Sequence, residues 1–209
     1  EDIGVRANFG RPGAASAWDC AIASIANIQH NRFCKGNQII VLGKLDVSEE
    51  MEAVKELDFT NIKDRKKFSD LVEKIDKEVV HIISIIVKAG KTPIVIGGGH
   101  NNAYGNIKGT ALAKGKPINA INLDAHSDFR ILEGRHSGNG FRYAKKENYL
   151  SKYALIGLHE NYNSAAIIAE MQANPDIDFS YFEDIFIRQK STFEAAINKA
   201  TAHTHSAEC

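Results

Sequence analysis

The sequence predicts an α/β fold in which a mainly parallel sheet is covered on both faces by helices. Short apolar runs typical of buried strands alternate along the chain with segments whose apolar residues recur every three or four positions. No low-complexity linker or internal repeat divides the 209 residues, a length that suits one domain with a substantial core. Metal-binding side chains follow directly after two of the apolar runs. In open α/β sheets, ligands bind at these carboxyl ends of the strands.

Strands and helices are predicted to alternate through most of the chain. The clearest helix covers residues 65–89, where eight apolar residues from Phe68 to Ile86 form one stripe before Gly90 and Pro93 end it. The other predicted helices cover residues 14–28, 49–57, 101–114, 162–173 and 192–202, the last opened by capping-box spacing at Ser191–Glu194. The predicted strands cover residues 38–43, 93–97, 118–123, 153–157 and 177–180, with loops expected at residues 1–13 and 124–140.

Composition and charge narrow the class of protein. Lys and Arg together equal Asp and Glu at 26 each, so the overall balance does not indicate nucleic acid or an anionic membrane as a partner. The longest strongly apolar stretch, residues 82–87, is far too short to span a bilayer, and no signal peptide is recognised. Three cysteines, Cys20, Cys34 and Cys209, show no metal-binding spacing and favour a reducing, cytoplasmic compartment.

The two ends of the sequence suggest a fragment. The chain begins at Glu1 instead of Met and stops at Cys209 directly after a helical pattern. We therefore expect a single domain over residues 1–209 that is incomplete at the C-terminus and trimmed at the N-terminus.

The stretch Asn122–Asp128 places three metal-binding side chains at alternate positions after the predicted strand 118–123. In extended backbone, residues i, i+2 and i+4 point to the same side. Asp124, His126 and Asp128 are therefore expected to converge beyond the carboxyl end of this strand. Taken alone, the triplet is as consistent with a helix cap or a solvated turn as with a metal site.

A second histidine strengthens the metal interpretation. His100 ends the run Gly97–His100 and so also lies at the carboxyl end of a predicted strand. Two imidazoles and two carboxylates suit Mn²⁺ or a similar hard divalent ion better than a structural zinc ion. Because both aspartates can bridge, the set can hold two ions, and further carboxylates are expected from a later strand to fill their coordination. The glycines lack the spacing of a phosphate-binding or dinucleotide-binding loop.

A centre of this kind indicates hydrolysis. Two metal ions lower the pKa of a bridging water and clamp the reacting end of the substrate, which suits attack on an electrophilic carbon or phosphorus. The loop after the metal motif is rich in polar side chains suited to gripping a small acidic substrate: Arg130, Arg135, His136, Ser137, Asn139 and Arg142. For each of these alone, a solvated loop side chain is the simpler explanation.

The two metal motifs resemble the first two signature motifs of the ureohydrolase family, which includes arginase, agmatinase and formimidoylglutamase. Gly-Gly-x-His ends at His100, and Asp-Ala-His-x-Asp runs from Asp124 to Asp128. The resemblance implies an arginase-like three-layer α/β/α sandwich and a binuclear Mn²⁺ centre. By matching positions, His100, Asp124, His126 and Asp128 correspond to metal ligands, with Asp124 bridging both ions. It also implies catalytic roles for His126 and for Asp128, the latter by orienting the attacking hydroxide.

Further details favour the formimidoylglutamase branch of this family. Gly99 stands before the first metal histidine where arginases usually have Asp, and Arg130 follows the second motif much as in the Asp-Leu-Arg of that branch. Residues 4–14 resemble its N-terminal segment. Residues 137–141 read Ser-Gly-Asn-Gly-Phe and lack the histidine that arginases are thought to use as a proton shuttle.

This branch implies hydrolysis of N-formimino-L-glutamate to L-glutamate and formamide, a step of histidine catabolism. Metal-bridging hydroxide would attack the formimino carbon, and Arg130, Ser137 and Asn139 would hold the substrate. The resemblance covers essentially the whole chain, and a homo-oligomer is possible because members commonly form trimers or hexamers.

Three alternatives remain open at this point. The chain can belong to an arginase-type or agmatinase-type enzyme that releases urea from a guanidine. It can also be a non-catalytic member of the family, since the family's third motif, two aspartates on a later strand, does not occur in this sequence. Lastly, the metal-binding side chains can have a structural role alone.

Overall fold

The structure is a computed structural model that describes residues 1–58 and 60–205. Within these residues, the helices are α1 (Ile3–Ala7), α2 (Ala17–Ala26), α3 (Ser48–Ala53), α4 (Ile62–Lys88), α5 (Asn102–Lys114), α6 (Gly140–Lys146), α7 (Ala165–Ala173) and α8 (Phe193–Thr204). The strands are β1 (Ile118–Leu123), β2 (Leu150–Leu158) and β3 (Ile177–Tyr181). Single turns of 3₁₀-helix lie at Ala14–Ser16, Gly36–Gln38 and Glu160–Tyr162, and one π-helical turn lies at Glu183–Ile187.

The three strands form one parallel sheet in the order β1-β2-β3. Asn122 of β1 lies opposite Leu155 of β2, which in turn lies opposite Phe179 of β3. Parallel neighbours need a crossover connection, and α6 and α7 provide the two crossovers. The predicted α/β class with a parallel sheet is confirmed.

The central strand β2 is buried on both faces, as the sequence predicted for this run. Tyr153 and Leu155 belong to a core that includes residues of α5, α6 and α7. Ala154 and Ile156 point to the opposite face and pack against Ala200 and its neighbours in α8. The sheet is therefore the middle of three layers.

The long helix α4 packs along α5 and fixes where α5 begins. The predicted apolar stripe is confirmed, since its buried members are Phe68, Val72, Ile75, Val79 and Ile83. Gly105 and Gly109 permit the close approach of the two helices. A Cβ at Gly105 would lie 2.6 Å from the Val79 side chain, and one at Gly109 would lie 2.8 Å from the Val80 carbonyl oxygen.

Two of the strand predictions are wrong, since neither segment forms a strand in the described residues. Residues 38–43 and 93–97 make no ladder hydrogen bonds, and Ile94 is 83% exposed. Both segments line a cavity of about 500 Å³ beside α4. An apolar run becomes a strand only when a neighbouring strand supplies hydrogen bonds, and the described sheet ends at β1. Strand β1, predicted as a buried strand, lies at the edge of the described sheet, and its Leu123 is 67% exposed.

Other departures come from local hydrogen bonding that the patterns did not reveal. Residues 1–13 contain α1, which Glu1 supports by accepting hydrogen bonds from the backbone N–H groups of Ile3 and Gly4. Helix α6 follows the loop that was predicted to run to residue 140 and was itself not predicted. The N-cap of α8 is Thr192, whose hydroxyl accepts a hydrogen bond from the Ala195 N–H, so the helix begins one residue later than predicted.

No helix in residues 1–58 or 60–205 combines the length and apolar character that crossing a membrane requires. Cys20 is exposed and Cys34 is half-buried, whereas Cys209 lies outside the described residues.

Candidate metal centre

Three side chains from two segments meet at the carboxyl end of β1. His100 precedes α5, while Asp124 and Asp128 lie on the turn that follows β1. One ligand atom of each lies within 4.8 Å of the others, and no other group of three or more potential ligands comes this close in the described part of the chain. His100 Nδ1 is 3.0 Å from Asp124 Oδ2 and 2.5 Å from Asp128 Oδ2.

The chain leaves the extended conformation after β1, so the alternate-position geometry expected from the sequence does not hold. Asp124 Oδ1 accepts a hydrogen bond of 2.8 Å from the His126 backbone N–H, and Asp128 has a φ of +45°. This turn brings the two carboxylates together but leaves the His126 side chain 60% exposed, stacked on Tyr162. His126 Nδ1 remains 3.4 Å from Asp124 Oδ1, and its role as a metal ligand stays a prediction.

The two carboxylates determine the charge of His100. Burial opposes protonation of the imidazole, but its contacts with Asp124 and Asp128 outweigh burial and raise the pKa of His100 to about 10. Burial raises the pKa of Asp128 despite the nearby His100. For Asp124, burial is outweighed by hydrogen bonds from His100 and from the His126 backbone, so its pKa is lowered. A protonated His100 thus offsets part of the negative charge, and a metal ion would displace that proton.

The donor atoms fit a hard divalent cation. Asp128 Oδ2 is buried, and within the described residues its close polar contact is the ion pair with His100 Nδ1 at 2.5 Å, with no further hydrogen-bond partner. A buried carboxylate oxygen without a partner is costly unless a cation or hydrogen bond satisfies it. Two carboxylates and one imidazole are a ligand set that Mn²⁺ accepts, and they leave further coordination positions for water or other groups.

The predicted substrate-binding residues lie on the loop beside this cluster but are tied to other groups. Arg130 donates hydrogen bonds to Asn8 Oδ1 at 3.0 Å and to Glu133 Oε1 at 2.6 Å, and its side chain is 41% exposed.

Ser137 is half-buried and donates its backbone N–H to the Gly4 carbonyl. Asn139 is fully buried, and the bonds of its amide within the described residues all reach groups of this loop. Their contact with a substrate stays a prediction, and the bonds of Asn139 give it a structural role in the loop.

Arg135, which the sequence placed among the polar loop residues, anchors the loop to α4 and α5. Its guanidinium donates two hydrogen bonds to the Asp76 carboxylate and one to the Asn101 carbonyl oxygen. Two further bonds reach Asn139 Oδ1 and the His136 carbonyl oxygen. All five N–H donors are therefore used in a buried site. Burial raises the pKa of Asp76 to about 6, although Arg135 acts in the opposite direction.

His136 is a buried neutral histidine of the same loop. Its Nδ1 accepts a hydrogen bond of 3.1 Å from the Gly138 N–H, and its Nε2 lies 3.3 Å from Glu133 Oε1. Burial and the positive charge of Arg130 outweigh Glu133 and lower the pKa of His136 to about 4.

Three residues that support the site were not identified from the sequence. Asp76 is buried on α4. Its position beside the apolar stripe could have been recognised in the sequence, because a buried carboxylate almost always has a cationic partner. Tyr153 donates its hydroxyl hydrogen to the Ser127 carbonyl oxygen, and the Asn163 side chain bonds to the backbone of the metal turn. Neither of these two carried a recognisable signal, because a tyrosine in a strand and an asparagine in a loop are ordinary residues there.

We predict that Asp76→Asn destabilises the fold by about 3 kcal/mol above pH 7, because removing one partner leaves a buried guanidinium without its counter-charge. Asp70→Asn is the matched control on the same helix, since Asp70 is 56% exposed and pairs with Lys66 at the surface. The control should cost less than about 1 kcal/mol. Urea unfolding followed by circular dichroism measures both, and equal losses would contradict the anchoring role of Arg135.

We predict that the unaltered chain gains stability over His136→Gln as pH rises from about 4 to 6.5. In this range the folded His136 is neutral while the unfolded residue, with an ordinary pKa of 6.5, binds a proton, so the unfolded state binds more protons. The gain is at most about 3.5 kcal/mol, because one pKa unit corresponds to about 1.4 kcal/mol.

The measurement for His136 is the free energy of unfolding in urea at several pH values across this range. His81→Gln, at an exposed position on α4, serves as the control and should run parallel to the unaltered chain. A stability difference between the unaltered chain and His136→Gln that does not change with pH would contradict the buried neutral histidine.

Comparison with known proteins places this geometry in a family. The model of the Arginase family matches residues 8–208. A formimidoylglutamase of Macrococcus caseolyticus is 34% identical over 129 residues, which cover 61% of this chain and 40% of the relative. A formimidoylglutamase of Streptococcus pyogenes is 28% identical over 193 residues, covering 88% of this chain and 52% of the relative. The chain thus spans about half the length of the curated relatives that it matches.

Solved structures share the fold. Trypanosoma cruzi formiminoglutamase with Mn²⁺ superposes with a TM-score of 0.56 and 23% identity over 64% of this chain and 46% of that chain. The oxidized form of the same enzyme at pH 4.6 gives a TM-score of 0.70 and 17% identity over 98% of this chain and 63% of that chain. At these identities the likeness shows a common fold, and the family model covers nearly every residue. The chain therefore belongs to the arginase family.

Proposed function

We propose that this chain carries part of the active site of a manganese-dependent hydrolase that cleaves a linear amidine. The observation that carries the proposal is the cluster of His100, Asp124 and Asp128, whose ligand atoms lie within 4.8 Å of one another at the end of β1. The proposed substrate is N-formimino-L-glutamate, and the products are L-glutamate and formamide. Support for this substrate comes from relatives named formimidoylglutamase, and support for Mn²⁺ comes from the Trypanosoma cruzi enzyme solved with that ion.

Two ions are proposed because the carboxylate of Asp124 faces two histidines. Its Oδ2 lies 3.0 Å from His100 Nδ1, and its Oδ1 lies 3.4 Å from His126 Nδ1. A carboxylate that presents one oxygen to each of two imidazoles is suited to bridge two cations. His100 and Asp128 would complete one half of the centre, and His126 would serve the other.

Bound Mn²⁺ would act as a Lewis acid that lowers the pKa of a water molecule and polarises the amidine. The chain's own groups would position the reactants. Asp128 would accept a hydrogen bond from the attacking water and orient it toward the formimino carbon. The carboxylate of the substrate would take the place of Glu133 on the exposed guanidinium of Arg130, a favourable bidentate pairing. Addition of water to the carbon, followed by cleavage of its bond to the glutamate nitrogen, which takes up a proton, gives formamide and glutamate.

We predict that the chain binds Mn²⁺ and that His100→Ala raises the dissociation constant by about tenfold or more, since one of three clustered ligands is lost. His81→Ala, at an exposed position on α4, is the matched control and should bind as the unaltered chain does. The electron paramagnetic resonance signal of free Mn²⁺ measures binding in a titration at neutral pH. Equal affinity of the two variants would exclude His100 as a ligand.

We predict that the complete active site, to which this chain contributes, releases formamide from N-formimino-L-glutamate with Mn²⁺, and that Asp128→Asn reduces the rate by about 100-fold or more, as expected for a group that acts on the attacking water. Product analysis for formamide and urea, with L-arginine and agmatine as competing substrates, measures this. Release of urea would replace the proposed substrate with a guanidine. Mn²⁺ binding without turnover of any of these compounds would indicate a non-catalytic member of the family.

A further inference from the structure

The metal-binding turn, Asp124–Asp128, must be held by groups outside it. It belongs to no helix or strand, and Asp128 adopts a φ of +45°, a left-handed conformation that is uncommon outside glycine and that aspartate tolerates better than most residues. Asp124 Oδ1 accepts the His126 N–H within the turn. The backbone groups on either side of His126, the Ala125 carbonyl and the Ser127 N–H, find their partners elsewhere.

One side chain satisfies both of these backbone groups. Asn163 lies between the 3₁₀ turn Glu160–Tyr162 and α7. Its Oδ1 accepts a hydrogen bond of 2.9 Å from the Ser127 N–H, and its Nδ2 donates one of 3.1 Å to the Ala125 carbonyl oxygen. The second hydrogen of Nδ2 is donated to the His159 carbonyl oxygen at 2.9 Å. The amide therefore brackets His126 and is itself held by His159, the residue that follows β2.

Neighbouring groups support the same turn from the same side. The His159 N–H donates to the Ala125 carbonyl oxygen at 2.9 Å, and the Tyr153 hydroxyl donates to the Ser127 carbonyl oxygen at 2.9 Å. The ring of Tyr162 stacks on the ring of His126, with centroids 5.1 Å apart and an interplanar angle of 15°. The segment that follows β2 thus contacts the ring of His126 and the backbone of the residues on either side of it.

We propose that Asn163 is a positioning residue for the metal centre, which fixes the turn so that His126 and Asp128 are presented to the cations. The proposal rests on the proposed function, because it assigns Asn163 a task toward the metal ions of that site. Groups that orient metal ligands typically change metal affinity by 10-fold to 100-fold when they are removed.

The chemistry of this position requires an amide. Aspartate at position 163 would keep the volume and the acceptor for Ser127 but would lose both donors, and its carboxylate would face the carbonyl oxygens of Ala125 and His159. Leucine would keep the volume and lose every hydrogen bond. Glutamine would be one methylene too long to reach an N–H and a carbonyl that lie two residues apart.

The test compares Asn163→Asp with Asn161→Asp. Asn161 is exposed in the adjacent 3₁₀ turn, so the control adds the same negative charge near the site without touching the metal turn. Mn²⁺ dissociation constants are measured by electron paramagnetic resonance, far below the melting temperature of each variant. We expect the constant to rise at least tenfold in Asn163→Asp and to stay within twofold in Asn161→Asp. Constants within twofold of the unaltered chain for both variants would overturn the proposal.

A second measurement tests the conformational stability of the metal-binding turn in the absence of metal. Hydrogen–deuterium exchange of the peptide that contains residues 124–129 should be faster in Asn163→Asp and in Asn163→Leu than in Asn161→Asp. Unchanged exchange of this peptide in both Asn163 variants would overturn the proposal even if Mn²⁺ affinity fell. If the unaltered chain binds no Mn²⁺, both the proposed function and the role of Asn163 are contradicted. If the unaltered chain and Asn163→Asp bind Mn²⁺ equally well, only the role of Asn163 is contradicted.

Discussion

The buried guanidinium of Arg135 is the interaction on which the organisation of the site depends. Its positive charge is removed from water, so it requires the Asp76 carboxylate, and its five donors require acceptors on several segments. The rings of Tyr104 and Tyr143 also lie against it, with centroids 4.7 Å and 5.0 Å from its central carbon. The guanidinium thereby joins α4, the beginning of α5, α6 and the loop before α6.

The metal cluster is built where two independently supported segments meet. His100 stands two residues before α5, next to Asn101, whose carbonyl oxygen accepts a hydrogen bond from Arg135. The aspartates stand on a turn that is supported by Tyr153 of β2 and by Asn163 of the segment after β2. The packing of α4 against α5 therefore fixes one ligand, while hydrogen bonding to β2 and the segment after it fixes the others. The geometry of the centre depends on both supports because neither segment carries all three ligands.

Much of this arrangement could be predicted from local patterns, and the rest depends on contacts between distant residues. The apolar stripe of α4 and the strands β1, β2 and β3 follow from local apolar patterns. The predicted proximity of His100 to the aspartates is found, but the strand before His100 on which the prediction rested is not formed, and His100 is placed by the packing of α5. The strand predicted at residues 93–97 failed because strand pairing is a property of two segments. The outward position of His126 could not be predicted, because it results from a bend stabilised by Asp124 Oδ1 after the strand ends. Likewise, nothing near Arg135 in sequence indicated that Asp76, 59 residues away, would receive its side chain.

The left-handed backbone of Asp128 restricts how this centre can change its preference for metals. Besides glycine, only asparagine, aspartate and histidine adopt this conformation with some ease, so a cysteine at position 128 would carry conformational strain before it met any ion. Asp124 has an ordinary negative φ and accepts a wider choice of side chains on backbone grounds. Conversion of the site to thiophilic metals, in the laboratory or in evolution, is therefore easier through position 124 than through position 128.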